Sequence, residues 1–286
     1  MSSRRGAMRE SREIAPFCAG ASGEDARSDF GYGETGVVEA LMLTHVLPQV
    51  VQHHTETRGA LKVRSKYFTD REITRFVDSA VAGNTKALTD TIALARKMDV
   101  SFEDIWLGLL QPAARHLGDR WATDVCNFAT VTLAMCQLHS LLRAYSPMFS
   151  AVPTGPPLSH RVLVTPAADE QHSFGAVMLA EFMRRERCEI VMGPFPTARA
   201  LQTVVRQDFF TVIAFSLSCE TKVGELARQI ANVRRASQNP AVAILVGGNV
   251  FNEHPELVSR VGADWTAQDA RETIALLRRL KAPAGY

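Results

Sequence analysis

Three short apolar runs in the second half of the chain each end in a small or polar group. They are Arg161-Val162-Leu163-Val164-Thr165-Pro166, Thr211-Val212-Ile213-Ala214-Phe215 and Ala241-Val242-Ala243-Ile244-Leu245-Val246. Runs of this length, without polar alternation, predict strands buried on both faces. Helical patterns fill the gaps, and parallel neighbours need such crossovers. Strands are expected near 161–165, 188–192, 211–216, 241–246 and 263–266. Helices are expected near 174–187, 197–207, 221–236, 254–261 and 269–281. Five strands with intervening helices predict a flavodoxin-like, doubly wound parallel sheet. In such a sheet, ligands sit outside the carboxyl ends of the strands.

The segment after each run is suited to a ligand. The first run leads into Asp169-Glu170-Gln171-His172-Ser173-Phe174-Gly175, the second into Ser216-Leu217-Ser218, and the third into Gly247-Gly248. Histidine is the common neutral ligand of borderline metals, and a nearby carboxylate can fix its tautomer through the second ring nitrogen. Taken singly, a loop histidine is ordinarily solvated and a Gly-Gly pair is ordinarily a turn. Their spacing makes them a set: 40 residues separate Gly175 from Ser216, and 28 separate Ser218 from Gly247.

The first half is helical by its start signals. Thr69-Asp70-Arg71-Glu72 is a capping box, in which threonine and glutamate satisfy each other's exposed backbone donors. Ser101, Asn84 and Asp124 are expected to cap three further helices. The spacing predicts helices at 70–82, 85–98, 102–118 and 124–146, a four-helix bundle. The division expected is a disordered segment at 1–35 and a helical extension at 36–68, kinked at Pro48. Next come a bundle at 69–150, a Pro/Gly-rich linker at 151–159 and an α/β domain at 160–286.

Composition excludes several classes. A net charge of +2 gives no electrostatic footprint for sequence-specific nucleic-acid binding. Five cysteines without a CxxC pair predict reduced thiols and a cytoplasmic protein. No apolar window is long enough for a membrane span, and no secretory signal is expected at the N-terminus.

The three ligand-facing segments resemble the cobalamin-binding module, whose signature is DxHxxG, then SxL, then GG. Glu170 replaces the aspartate, with Asp169 beside it, and Ser218 replaces the leucine. The resemblance implies that His172 ligates cobalt from below and that Glu170 orients it. Ser173 and Gly175 complete the loop, while Ser216, Ser218, Gly247 and Gly248 house the cofactor's nucleotide tail. It also implies that the bundle caps the upper face, with Trp121 at the start of the last bundle helix. In similar light-sensing repressors a histidine follows that tryptophan and a Glu-His pair lies further on. Here those positions are Ala122, Val131 and Thr132, so the adenosyl-binding apparatus is absent. His139 is then the candidate upper ligand among the bundle histidines, with His116, His45, His53 and His54 as alternatives.

The layout is most similar to AerR/PpaA-type antirepressors, which lack a DNA-binding domain. That resemblance implies a light-responsive, non-enzymatic regulator holding hydroxo- or aquocobalamin. Its partner would be a redox-responsive DNA-binding repressor of the CrtJ/PpsR type. Two alternatives share the module: a haem-binding sensor, and a corrinoid methyl carrier serving separate methyltransferases.

Overall fold

The computed structural model describes residues 66–280, apart from Asp169, Gln171, His172 and Pro196. The expectations for 1–35, for nearly all of 36–68, and for Asp169, His172, His45, His53 and His54 lie outside the described residues.

Four helices open the described chain: α1 (Asp70–Val81), α2 (Thr85–Lys97), α3 (102–122) and α4 (Phe128–Ser150). Their starts are set by local chemistry. Thr69 and Glu72 form the reciprocal capping box, and Asn84 and Ser101 accept from the Ala87 and Asp104 amides. The α3 run is α-helical over Phe102–Ile105, widens to a π-turn over Trp106–Leu110, and returns to α over Gln111–Ala122. Pro112 lies just beyond the π-turn and has no N–H to continue an i→i−4 ladder there, which favours the irregularity.

The last bundle helix begins later than expected. Asp124 does not cap it; at φ 56° it adopts the left-handed turn that ends α3. The amides of Val125 and Cys126 fold back onto the Arg120 carbonyl. Asn127 is the cap, its side chain accepting from Thr130 N–H at 2.9 Å. Trp121 therefore ends α3 instead of starting α4.

The second half carries β1 (Arg161–Pro166), α5 (Phe174–Arg185), β2 (Glu189–Met192), α6 (Ala198–Gln207) and β3 (Val212–Ser216). It continues through a 3-10 turn at Glu220–Lys222, α7 (Val223–Ala236), β4 (Ala243–Gly247), α8 (Asn249–Glu253), α9 (Leu257–Arg260), β5 (Trp265–Thr266) and α10 (Ala270–Arg279). The single helix expected at 254–261 is thus two. The first starts directly after Gly248, and the break falls at His254-Pro255.

All five strands are parallel, in the order β2-β1-β3-β4-β5. Order reverses between β1 and β3, which is the switch point of a doubly wound sheet. Alternation along the strands splits the core. Leu163, Ile213, Phe215, Ile244 and Val246 pack with α6 and α7. Val162, Val164, Val212, Ala214 and Leu245 pack with α5 and α10, and this core continues without a break into the bundle through Trp106, Leu138 and Phe149. Cys126 and Cys188 are free thiols. No helix among the described residues is long and apolar enough to cross a membrane.

Candidate functional site

The ends of the three central strands line up across the sheet. Pro166 pairs with Ser216, and Ser216 with Gly247. The ladder extends one step beyond the strands: Ala167 N–H donates to the Ser216 carbonyl, and Leu217 N–H to the Gly247 carbonyl, each at 2.9 Å. The segments singled out in the sequence thus leave the sheet side by side at one edge.

Glu170 ties two of them together. Its carboxylate is buried and accepts from Ser218 N–H at 2.9 Å. Its own amide donates to the Ala167 carbonyl. A carboxylate held by a backbone donor is fixed in position at little conformational cost. Next to it, Gln229 of α7 accepts from Ala168 N–H, closing the loop from the other side.

The third segment is governed by space. Gly248 has φ +110°, and a Cβ placed on it would lie 2.8 Å from the Leu217 carbonyl carbon and closer still to its oxygen. The backbones of the β3 and β4 loops can approach this closely only at a glycine. A Cβ on Gly247 would meet nothing within 4 Å. One glycine closes the seam between the loops and the other leaves room above it. Ser216 and Ser218 are half-buried at the same edge, Ser173 sits one residue before α5, and Gly175 is exposed in its first turn.

The bundle overhangs this edge. α4 and α5 run parallel: His139 meets Phe174 at the start of α5, and seven residues on Ser146 donates to Glu181. The part of α4 before His139 therefore projects beyond the start of α5 and past the carboxyl ends of the strands. From Phe128 to His139 that overhang is about 16 Å at 1.5 Å per residue. Its module-facing row at helical spacing is Phe128, Thr132, Met135 and His139. Phe128 is 39% exposed and carries the Trp121 ring, centroids 5.9 Å apart. Thr132 is exposed, its hydroxyl donating to the Phe128 carbonyl, whereas Val131 is buried in the bundle core.

Glu170, Ser216, Ser218, Gly247 and Gly248 come together at the sheet edge. Trp121 stands apart at the tip of the overhang, and His139 at the seam between bundle and module. Phe128 and Phe174 were not singled out from the sequence. The spacing of Phe128, Thr132 and His139 would have found the first. Nothing local marks the second.

The edge suits a large cofactor with a trailing polar arm: open space over Gly247 at the strand ends, a fixed carboxylate and two serines at the same edge, and the Trp121–Phe128 pair on the overhang. Residues 160–278 match the family described as B12 binding domain, and residues 72–143 match a second family of the same description. The α/β half thus carries a B12-binding domain, and the helical half before it matches the second model. It is 25% identical over 174 residues to an uncharacterized 20.5 kDa protein in the bchF-crtJ intergenic region of Rhodobacter capsulatus, covering 61% of this chain and 90% of that one. The monomethylamine corrinoid protein of Methanosarcina barkeri shares the fold, with a TM-score of 0.62 and 15% identity over 74% of this chain and 100% of its own.

Proposed function

We propose that this chain is a cobalamin-binding, light-responsive regulator that acts by contact with another protein. The observation that carries the cofactor reading is the in-register row Pro166, Ser216, Gly247, with Gly248 pressed against the Leu217 backbone. That geometry leaves open space over Gly247 at the strand ends, at the same edge as an anchored carboxylate. An extended nucleotide arm fits it, and a compact ligand would not need it. His172 would hold the cobalt, Glu170 would hold the loop that carries it, and Ser216 and Ser218 would meet the arm. Trp121 and Phe128 cover the upper side.

Cobalamin would supply light sensitivity through the cobalt–carbon bond of its alkyl forms, and the hydroxo or aquo form left after photolysis would be the one retained. Beyond His139, which is taken up by Phe174, the row offers Phe128, Thr132 and Met135, none of them a strong ligand or an ionisable group, so the hydroxo- or aquocobalamin form fits best. The relative in the bchF-crtJ intergenic region supports a photosynthesis-gene setting. In that setting the partner is a redox-responsive DNA-binding repressor of the CrtJ/PpsR type, and the chain is a cytoplasmic, non-enzymatic antirepressor. Light can shift such a protein between two states only if the cofactor binds one of them better.

The test is uptake and spectrum. The purified chain mixed with hydroxocobalamin and passed through a desalting column should retain the cofactor, and His172→Ala should lose it. Equal retention by H172A, with an unchanged spectrum, would sink the ligand assignment. A Soret band from purified protein would point to haem instead, and transfer of a cobalt-bound methyl group to a methyltransferase would point to a carrier.

A further inference from the structure

We propose that His139 is a positioning residue for the His172 loop, acting through Phe174. This rests on the reading of His172 as the lower ligand and adds a bundle residue to its support. Three observations carry it.

His139 stands edge-on to Phe174, with ring centroids 5.0 Å apart and planes at 85°. Aromatic pairs prefer this arrangement, and it fixes both rings in orientation. Phe174 is 6% exposed, opens α5, and lies two residues beyond His172 in the chain. Where Phe174 sits therefore decides where the histidine loop ends.

Local structure does not otherwise secure that end. Ser173 precedes the helix, and its side chain makes no capping hydrogen bond. A helix start without a cap depends on packing for its position. Here the packing comes from the bundle.

The place of His139 along α4 also separates it from the overhang. Thr132 lies seven residues, about 10 Å, nearer the open tip. His139 lies level with the exit of the ligand loop, beside Phe174. Burial, and then the Arg143 cation one turn further on, hold the imidazole below its ordinary protonation range, so it packs as a neutral ring.

Outer contacts that orient a metal ligand ordinarily carry about 10- to 100-fold in affinity. The experiment compares the full-length parent with His139→Phe, which keeps an aromatic edge but cannot ligate, and His139→Ala, which keeps neither. Each is titrated with hydroxocobalamin by absorbance, and the melting temperature of the cofactor-free chain is recorded. H139F should bind within about twofold of the parent and give the parent spectrum. H139A should bind at least about tenfold more weakly and shift the spectrum toward an unligated lower face. If H139A does not fold, His139→Leu takes its place, filling the volume without an aromatic edge.

Parent-like binding by H139A or H139L overturns the proposal. So does a spectrum in H139F showing that an axial imidazole has been lost, since His139 would then be a cobalt ligand. A parent chain that takes up no cobalamin overturns the functional reading itself, which separates the two failures.

Discussion

At the scale of single residues, two histidines shielded from water set how the fold responds to acid. His160 is 2% exposed, and its Nε2 lies 3.1 Å from the Leu277 carbonyl. That contact makes Nε2 the protonated nitrogen and leaves Nδ1 with no partner among the described residues. Burial lowers the His160 pKa below the ordinary 6.5, against a smaller opposing pull from the Leu277 carbonyl; burial lowers that of the half-buried His139 too. Linkage gives the sign. Both rings take up a proton less readily in the fold than in the unfolded chain, where they do so near pH 6.5, so acid favours unfolding. Their contribution is complete above about pH 7 and is lost as pH falls through 6.5 toward the lowered values. Urea unfolding at pH 7.5 and 5.5 should show lower stability at the acid value. His160→Gln should shrink that difference, and a variant with the same pH dependence as the parent would remove His160 from the account. The role of His160 was not legible in the sequence, where it reads only as the residue before a strand. What makes it matter is the Leu277 carbonyl, 117 residues away.

Secondary-structure elements show where sequence reading works and where it stops. The caps at Thr69, Asn84 and Ser101 are local, each satisfied within three residues, and they are readable for that reason. The start of α4 is equally local, but two candidates compete within four residues. Asp124 closes the helix before it and Asn127 opens the one after, a choice made by how Val125 and Cys126 fold back on Arg120. The π-turn at Trp106–Leu110 has no periodic signature strong enough to find. The strand ends were legible because three separate segments had to agree in spacing. Their meeting, however, depends on Gly248. Its positive φ and its contact with the Leu217 backbone predict that Gly248→Ala cannot be absorbed by a side-chain movement. We expect a loss of about 1–3 kcal/mol in denaturant unfolding from backbone strain alone. Gly247→Ala, with open space around its Cβ, should cost less in stability. Equal losses at the two glycines would mean that the approach of the β3 and β4 loops is not what fixes this edge.

Across the whole molecule, bundle and module are pinned together at the end away from the overhang. Trp106, Phe149 and Phe182 form an aromatic cluster with centroid distances of 4.0, 4.9 and 6.0 Å. The Arg185 guanidinium lies over Phe149 at 4.3 Å and reaches Glu103 of α3 at 2.7 Å and Glu186 at 3.2 Å. Glu103 also pairs with Arg271 of α10, and the fully buried Glu186 pairs with Arg278 and accepts from Thr154 in the linker. A network of this kind joins α3, the linker, α5 and α10 through one buried cation. Its net contribution to stability can be small, because desolvation offsets most of the attraction. Losing one member is different, since Glu186 stays fully buried with Arg278 as its remaining counter-charge and Glu103 stays half-buried with Arg271. Arg185→Met keeps the apolar contacts with Phe149 and Phe182 but leaves Glu103 and Glu186 without the cation they share. The expected cost is about 3–5 kcal/mol in urea unfolding, together with faster proteolysis in the 151–159 linker as the bundle loosens. A change under about 1 kcal/mol would show the two parts to be held by apolar packing alone. The distinction bears on regulation. With this end fixed by charges that cannot be exposed cheaply, the proposed cofactor-driven change in the bundle would be confined to the overhang beyond His139, where Phe128 and Thr132 are exposed. R185M should therefore release the bundle as a whole, and H139A should alter only how the ligand loop is held. Comparing linker proteolysis in the two variants, with and without hydroxocobalamin, reads that difference directly.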